Sequence, residues 1–245
     1  MRRWLIAALL ALTASQTFGS NTTPIAFCHD SEDRPPRFYL RDGEWQGQDI
    51  DVLDRLFADS PWRYRLDAVP WRRCLQSTEA GRQHQAVLSA TYSVARAKHY
   101  YFSNSYYSHT PAYLYMASDD RPTPEITRPT DFYRYRVCGV AGFNYAGFNL
   151  SGKGIDQNAK DLPQLVDKLI AGRCDIALSR FEIIQGLKER DRIPWPAALE
   201  LRAIPRASLE RYYIMVSHHA PNAQRLLRFI NRGIERLSTP PRDAS

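Results

Sequence analysis

Residues 91–108 read TYSVARAKHYYFSNSYYS. Six aromatic residues share these eighteen positions with Arg96, Lys98 and His99. Aromatics interleaved with basic groups suit a surface that grips nucleic acid, a buried strand, or the wall of a small-molecule pocket. Which applies depends on the compartment and on what flanks the stretch.

The chain opens MRRWLIAALLALTASQTFGS. Arg2 and Arg3 precede an apolar run from Trp4 to Leu12, and small residues stand at Thr17 and Gly19. Charge, length and flanks predict a secretory signal peptide over residues 1–19, cleaved after Gly19. The apolar run is about half the ~20 residues that span a bilayer. No later stretch is apolar enough to span one, and Cys28 lies too far on to serve as a lipid-attachment site. The mature chain is therefore expected to be soluble and periplasmic.

Export argues against nucleic acid. The net charge is +7, but the 33 basic residues are scattered among 26 acidic ones, with no run of five or six like charges. Such a charge reads as a solvated face, part of it directed at an anionic ligand. Four cysteines follow the leader: Cys28, Cys74, Cys138 and Cys174. In an oxidising compartment an even number predicts two disulfides in one of three connectivities, the alternative being four inert buried thiols. No pair has C-x-x-C spacing and the six histidines form no H-x-x-x-H, so neither a metal nor a cofactor is expected.

Around the opening stretch, strand and helix patterns alternate. PIAFC (24–28) reads as a buried strand, and RDGEW (41–45) as a hairpin on an Asp-Gly turn. Ile50, Leu53, Leu56 and Phe57 have helical spacing. RYRLDAVPW is a second strand, RRCLQSTEAGR a short helix ended by Gly81, and QAVLSATYS a third strand. PAYLYMAS (111–118) begins a second series. YRVCGVAG and CDIALS are its strands; DLPQLVDKLIAGR, with Asp161 as N-cap, and FEIIQGLKER are its helices. ALELRAIP and RYYIMVS are late strands, and NAQRLLRFINRGIERL is a closing amphipathic helix. Alternation of this kind predicts parallel sheets with helices on their faces. Two α/β lobes joined by extended crossings near 112–118 and 205–217 fit the order.

The succession PPRFYLRDGEWQGQDIDVLDRLF, Trp71, SATYSVARAKHYYFSNSYYS, VCGVAGFNY and AGRCDIALS resembles the family 3 periplasmic solute-binding proteins, the amino-acid-type receptors of ABC importers. The match runs over nearly the whole mature chain. Gly47-x-Asp49-Ile50-Asp51 alone is weak. With Arg96, Phe102-Ser103 and Tyr106-Tyr107 at their spacings, it is much stronger. The resemblance implies an α/β, two-lobed periplasmic-binding-protein type II fold that closes on its ligand by a hinge of two crossing strands. It places lobe one at 20–113 plus 211–245 and lobe two, inserted, at 114–210. It also pairs Cys28 with Cys74 and Cys138 with Cys174, one bridge within each lobe.

The same resemblance assigns site residues. Thr91 and Ser89 form a polar strand end at the cleft. Arg96, opening the next helix, holds a ligand carboxylate with its planar fork. Trp71 stacks on the ligand, and Gly142, Phe143, Asn144 and Tyr145 form the second-lobe turn. Tyr100, Tyr101 and Phe102 are read as packing. Arg180 stands where the family usually has an aspartate for an α-amine. An arginine cannot accept that bond, so a ligand without an amine, or with extra negative charge, is expected, unless Glu182 or Ser179 supplies the acceptor. His84-Gln85 replaces another family aspartate, at a structural position. The implied partners are a small anionic or zwitterionic solute and an ABC permease or receptor in the inner membrane, with the protein a monomer. A sensor role and a dehydratase-like enzyme are the alternatives. For the enzyme, only Glu182, His29 and Asp30 offer acid–base groups, and each reads more simply as surface or structural.

Overall fold

The computed structural model describes residues 23–118, 122–150 and 154–238; the leader expected at 1–19 lies outside them. The first lobe starts with β1 (Ile25–Asp30), the hairpin β2 (Tyr39–Arg41) and β3 (Glu44–Gln46), α1 (Gln48–Phe57), β4 (Tyr64–Val69) and α2 (Trp71–Glu79). It continues through β5 (Ala86–Thr91), α3 (Val94–Ala97), β6 (Tyr100–Phe102) and β7 (Tyr107–His109). The second lobe holds β8 (Pro111–Met116), β9 (Val137–Val140), β10 (Ile155–Ala159), α4 (Leu162–Ile170), β11 (Ile176–Arg180), α5 (Phe181–Glu189) and β12 (Leu199–Ala203). The chain then returns to the first lobe as β13 (Glu210–Ser217) and α6 (Ala223–Ser238).

Each lobe is built on one sheet. The first runs β4-β1-β5-β13-β6, with β7 also on β13; the second runs β10-β9-β11-β8-β12. Neither is wholly parallel. β1, β4 and β5 are parallel, but β13 is antiparallel to β5. In the second sheet β8 is antiparallel to both β11 and β12. The reason is topological: strands that carry the chain between lobes enter one sheet and leave the other without a helical crossover. The sheets change hands between His109 and Pro111 and between Ala203 and Glu210. Residues 112–116, expected to cross, are instead a strand of the second sheet, buried on both faces from Pro111 to Tyr115.

Local chemistry explains the elements. Asp42 and Gly43 both take positive φ, 53° and 82°, the primed turn that joins β2 to β3. The carboxylate of Asp161 caps α4 by accepting the amide of Gln164 at 2.8 Å. α1 turns Leu53, Leu56 and Phe57 inward against Phe27, Leu88, Ile214 and Leu226. Gly233 lets α6 lie flush on α1, because a Cβ there would collide with Leu56. Disulfides join Cys28 to Cys74 and Cys138 to Cys174. Each closes a loop of several dozen residues inside one lobe, nominally worth ~3–4 kcal/mol, and neither ties the lobes together. His84, buried, is satisfied by Ser77 at 2.7 Å and Asp67 at 2.9 Å.

His29 sits at the heart of the first lobe, fully buried, its ring 4.4 Å from that of Phe38 and 4.6 Å from that of Trp45. Neither ring nitrogen has a hydrogen-bond partner. Burial pushes its pKa down to about 4. Between pH 6.5 and 4 the unfolded chain binds a proton that the folded chain refuses. Stability therefore falls with falling pH across that window, by about 3 kcal/mol in total. Urea denaturation at pH 7 and pH 4 should register this loss, and His29→Phe should flatten it.

Candidate functional site

Between the lobes lies a cavity of about 360 Å³. The first lobe contributes Asp30, Ser31, Glu32 and Arg34, at and after the end of β1, and Pro70–Arg72 at the start of α2. The second contributes Val140, Ala141, Phe143 and Lys160–Leu162. Opposite walls touch beside it. Trp71 donates its indole N–H to the carbonyl of Gly142 across the crevice at 3.2 Å. Gly142 has φ 77°, and an added Cβ would press on Arg72 at 3.3 Å, so this turn suits glycine on both counts.

Arg96 stands next to Trp71, its guanidinium carbon 5.4 Å from the indole centre. Ser93 caps the short helix by accepting the Arg96 amide at 3.2 Å. Nη1 donates to the carbonyl and the hydroxyl of Thr91, at 2.9 and 3.1 Å. Nη2 reaches only the distant Gly142 carbonyl of the other lobe, at 3.5 Å. Burial first, and then the nearby Arg180, push the Arg96 pKa down to about 10, with Glu210 opposing. The side chain remains a cation at neutral pH, held where its charge is under-compensated.

From Thr91 the network crosses the crevice. Asn144 donates from Nδ2 to the Thr91 hydroxyl at 3.0 Å and to the Tyr92 carbonyl at 2.7 Å. Its own carbonyl accepts from Arg180 Nη2 at 2.8 Å. Arg180 then forks onto Glu210, Nε to Oε2 at 2.7 Å and Nη2 to Oε1 at 3.0 Å. Tyr212 adds its hydroxyl to Glu210 at 3.0 Å. Sheet register explains the meeting. Arg180 pairs with Pro111 at the first crossing, and Tyr212 pairs with Thr91 two residues after Glu210 begins β13.

The structure thus gathers Trp71, Thr91, Arg96, Asn144 and Arg180 at the crevice. Arg180, expected to face a ligand, carries a partner the sequence did not suggest: burial lowers its pKa, but Glu210 more than offsets this, and the guanidinium stays firmly charged within a buried ion pair. Its charge is thereby answered within the protein, although a guanidinium still offers no acceptor to an α-amine. Ser89 is drawn elsewhere. Its hydroxyl donates to Asp49 and accepts from Tyr107 at 2.8 Å, and its amide donates to Tyr106 at 3.1 Å. Asp49 also binds Arg37, so this buried cluster braces α1 against β5. Tyr145 is buried, its hydroxyl accepting from the Val140 amide at 2.7 Å and burial pushing its pKa up to about 12; it shapes the turn from beneath.

Of the acid–base candidates, Glu182 clamps the first crossing. It accepts the amide and hydroxyl of Thr110, at 2.9 and 2.8 Å, with His109 at 3.3 Å. Burial raises its pKa, but these bonds prevail and hold it at about 2. Asp30 binds Arg34 and the amide of Glu32. Ser179 is fully buried and its hydroxyl has no partner. Sequence reasoning missed Arg34 and Glu210. Arg34 adjoins the Pro35-Pro36 pair, between β1 and the hairpin, where no helix or strand period marks which way a side chain faces. Glu210 is thirty positions from Arg180, and no local pattern joins them.

Among the described residues no helix is long and apolar enough to cross a membrane. No curated protein matches the sequence. Among solved structures, holo ArgBP from T. maritima superposes with TM-score 0.69 at 18% identity, over 89% of this chain and 92% of that one. The arginine-, lysine-, histidine-binding protein ArtJ from Geobacillus stearothermophilus gives 0.69 at 15%, over 88% and 89%. A histidine kinase sensor domain with similarity to periplasmic binding proteins gives 0.70 at 17%, over 87% and 90%. These likenesses concern the two-lobed fold. A family model matches residues 25–240, most of the chain, and with it the protein belongs to the bacterial extracellular solute-binding proteins, family 3.

Proposed function

We propose that the chain captures a small carboxylate-bearing solute, an amino acid or a related organic anion, in the periplasm and, as a monomer, hands it to an ABC importer. The observation that carries this reading is Arg96. One edge of its guanidinium is fixed by Thr91, and the other meets only a carbonyl 3.5 Å away on the opposite lobe. A carboxylate placed there supplies the counter-charge that burial and Arg180 withhold, and does so in contact with both lobes. Closure and binding are then one event. Relatives of this fold support the solute class, since solved examples hold L-arginine and histidine.

A binding role also suits the acid–base groups. Glu182 serves a crossing, His29 is packed between aromatics, and Asp30 is engaged by Arg34. A thermal-shift panel of amino acids, keto acids and dicarboxylates tests the proposal. At a hundredfold excess over Kd a true ligand stabilises by ~2.7 kcal/mol, or about 5–10 °C for a chain of this size. A panel in which no carboxylate raises Tm would refute it.

A further inference from the structure

Arg34 lines the cavity and takes no part in the anchoring network. Its guanidinium carbon lies 4.3 Å from the ring centre of Phe143, on the second lobe, and 5.8 Å from that of Trp71, on the first. Nη2 donates to the carboxylate of Asp30, which is itself buried. Two aromatic faces and one carboxylate make a receptor for a flat cation, and the cation it holds belongs to this chain. Arg34 Nε is buried and has no acceptor. The cavity lining is otherwise balanced, with Asp30, Glu32 and Asp161 set against Arg34, Arg72 and Lys160.

We propose that Arg34 sets the specificity of the crevice, occupying a cation-binding subsite so that solutes with guanidinium or ammonium side chains are refused and solutes whose far end carries an acceptor are favoured. The inference rests on the carboxylate-solute reading above and deepens it. A ligand held at Arg96 extends past Trp71, which both arginines touch. A distal carboxylate meets the unused Nε donor of Arg34. A distal guanidinium meets a like charge in the place it would need, between Trp71 and Phe143. Removing Arg34 reverses the preference: the buried Asp30 carboxylate is left uncompensated, the lining becomes net negative, and the aromatic faces are freed.

Isothermal titration with L-glutamate, L-alanine and L-arginine tests this on the wild type, Arg34→Ala, Arg34→Met and Asp30→Asn/Arg34→Ala. Wild type should take L-glutamate in preference to L-alanine and show no heat with L-arginine. Arg34→Ala and Arg34→Met, the second keeping the length of the stem, should gain L-arginine affinity at least tenfold and lose the preference for L-glutamate. The added Asp30→Asn should cancel the gain. Wild type that binds L-arginine as well as L-glutamate, or folded Arg34 variants that gain none, would overturn the proposal. The underlying site reading fails separately, if Arg96→Ala leaves carboxylate binding unchanged.

Discussion

Alanine at position 96 is expected to weaken carboxylate binding by about two to three orders of magnitude, a loss of about 3–4 kcal/mol. The size follows from the setting. A bidentate guanidinium–carboxylate pair is among the stronger hydrogen-bonded contacts, and here it would form between lobes, away from bulk water. The neighbouring arginines are partly committed, Arg180 to Glu210 and one end of Arg34 to Asp30. The folded protein should tolerate the change. Ser93 caps through the backbone amide, which alanine retains, and the lost cation is one that burial and Arg180 disfavour. Tm in the absence of ligand should hold or rise slightly while the ligand-induced shift disappears. That combination marks a group kept for binding at some expense of stability. A Kd within threefold of wild type, measured by titration calorimetry, would remove Arg96 from the site.

Local signals in the sequence were the legible ones. The periodicity of Leu53, Leu56 and Phe57, the Asp42-Gly43 turn and the Asp161 cap each act within a few residues, and each element formed where its pattern lies. Thr91 and Arg96 belong to one strand–helix junction, so their partnership could be read as a motif. β6 and β7 could not: each has three residues, too few for a period, and both exist because β13 offers them an edge. β10 is polar, IDQNA, and resembles a loop until β9 pairs with it. The charges went astray for the same reason. Arg180 looks like a free cation along the chain, because its counter-ion arrives from the returning strand. Ser89 looks like a cleft residue until α1 brings Asp49 to it.

Glu210→Ala should be the most destabilising single change at the crevice, by about 3–5 kcal/mol. Arg180 and Glu210 each expose about 4% of their side chains. Truncating the acid leaves a buried guanidinium with one remaining bond, to the Asn144 carbonyl, and deprives the Tyr212 hydroxyl of its acceptor. At roughly 2–4 °C per kcal/mol for a chain of this length, Tm should fall by about 6–20 °C. Replacing both residues together, Arg180→Leu with Glu210→Leu, should cost much less than the sum of the single changes, because it removes the unpaired charge along with the pair. The cycle separates two roles for the pair. A large coupling energy identifies an ion pair that joins β11 to β13 across the lobes and so helps set the closed geometry. A coupling near zero would mean that the two side chains contribute independently, and that the junction is held by Asn144, Thr110 and Glu182 instead.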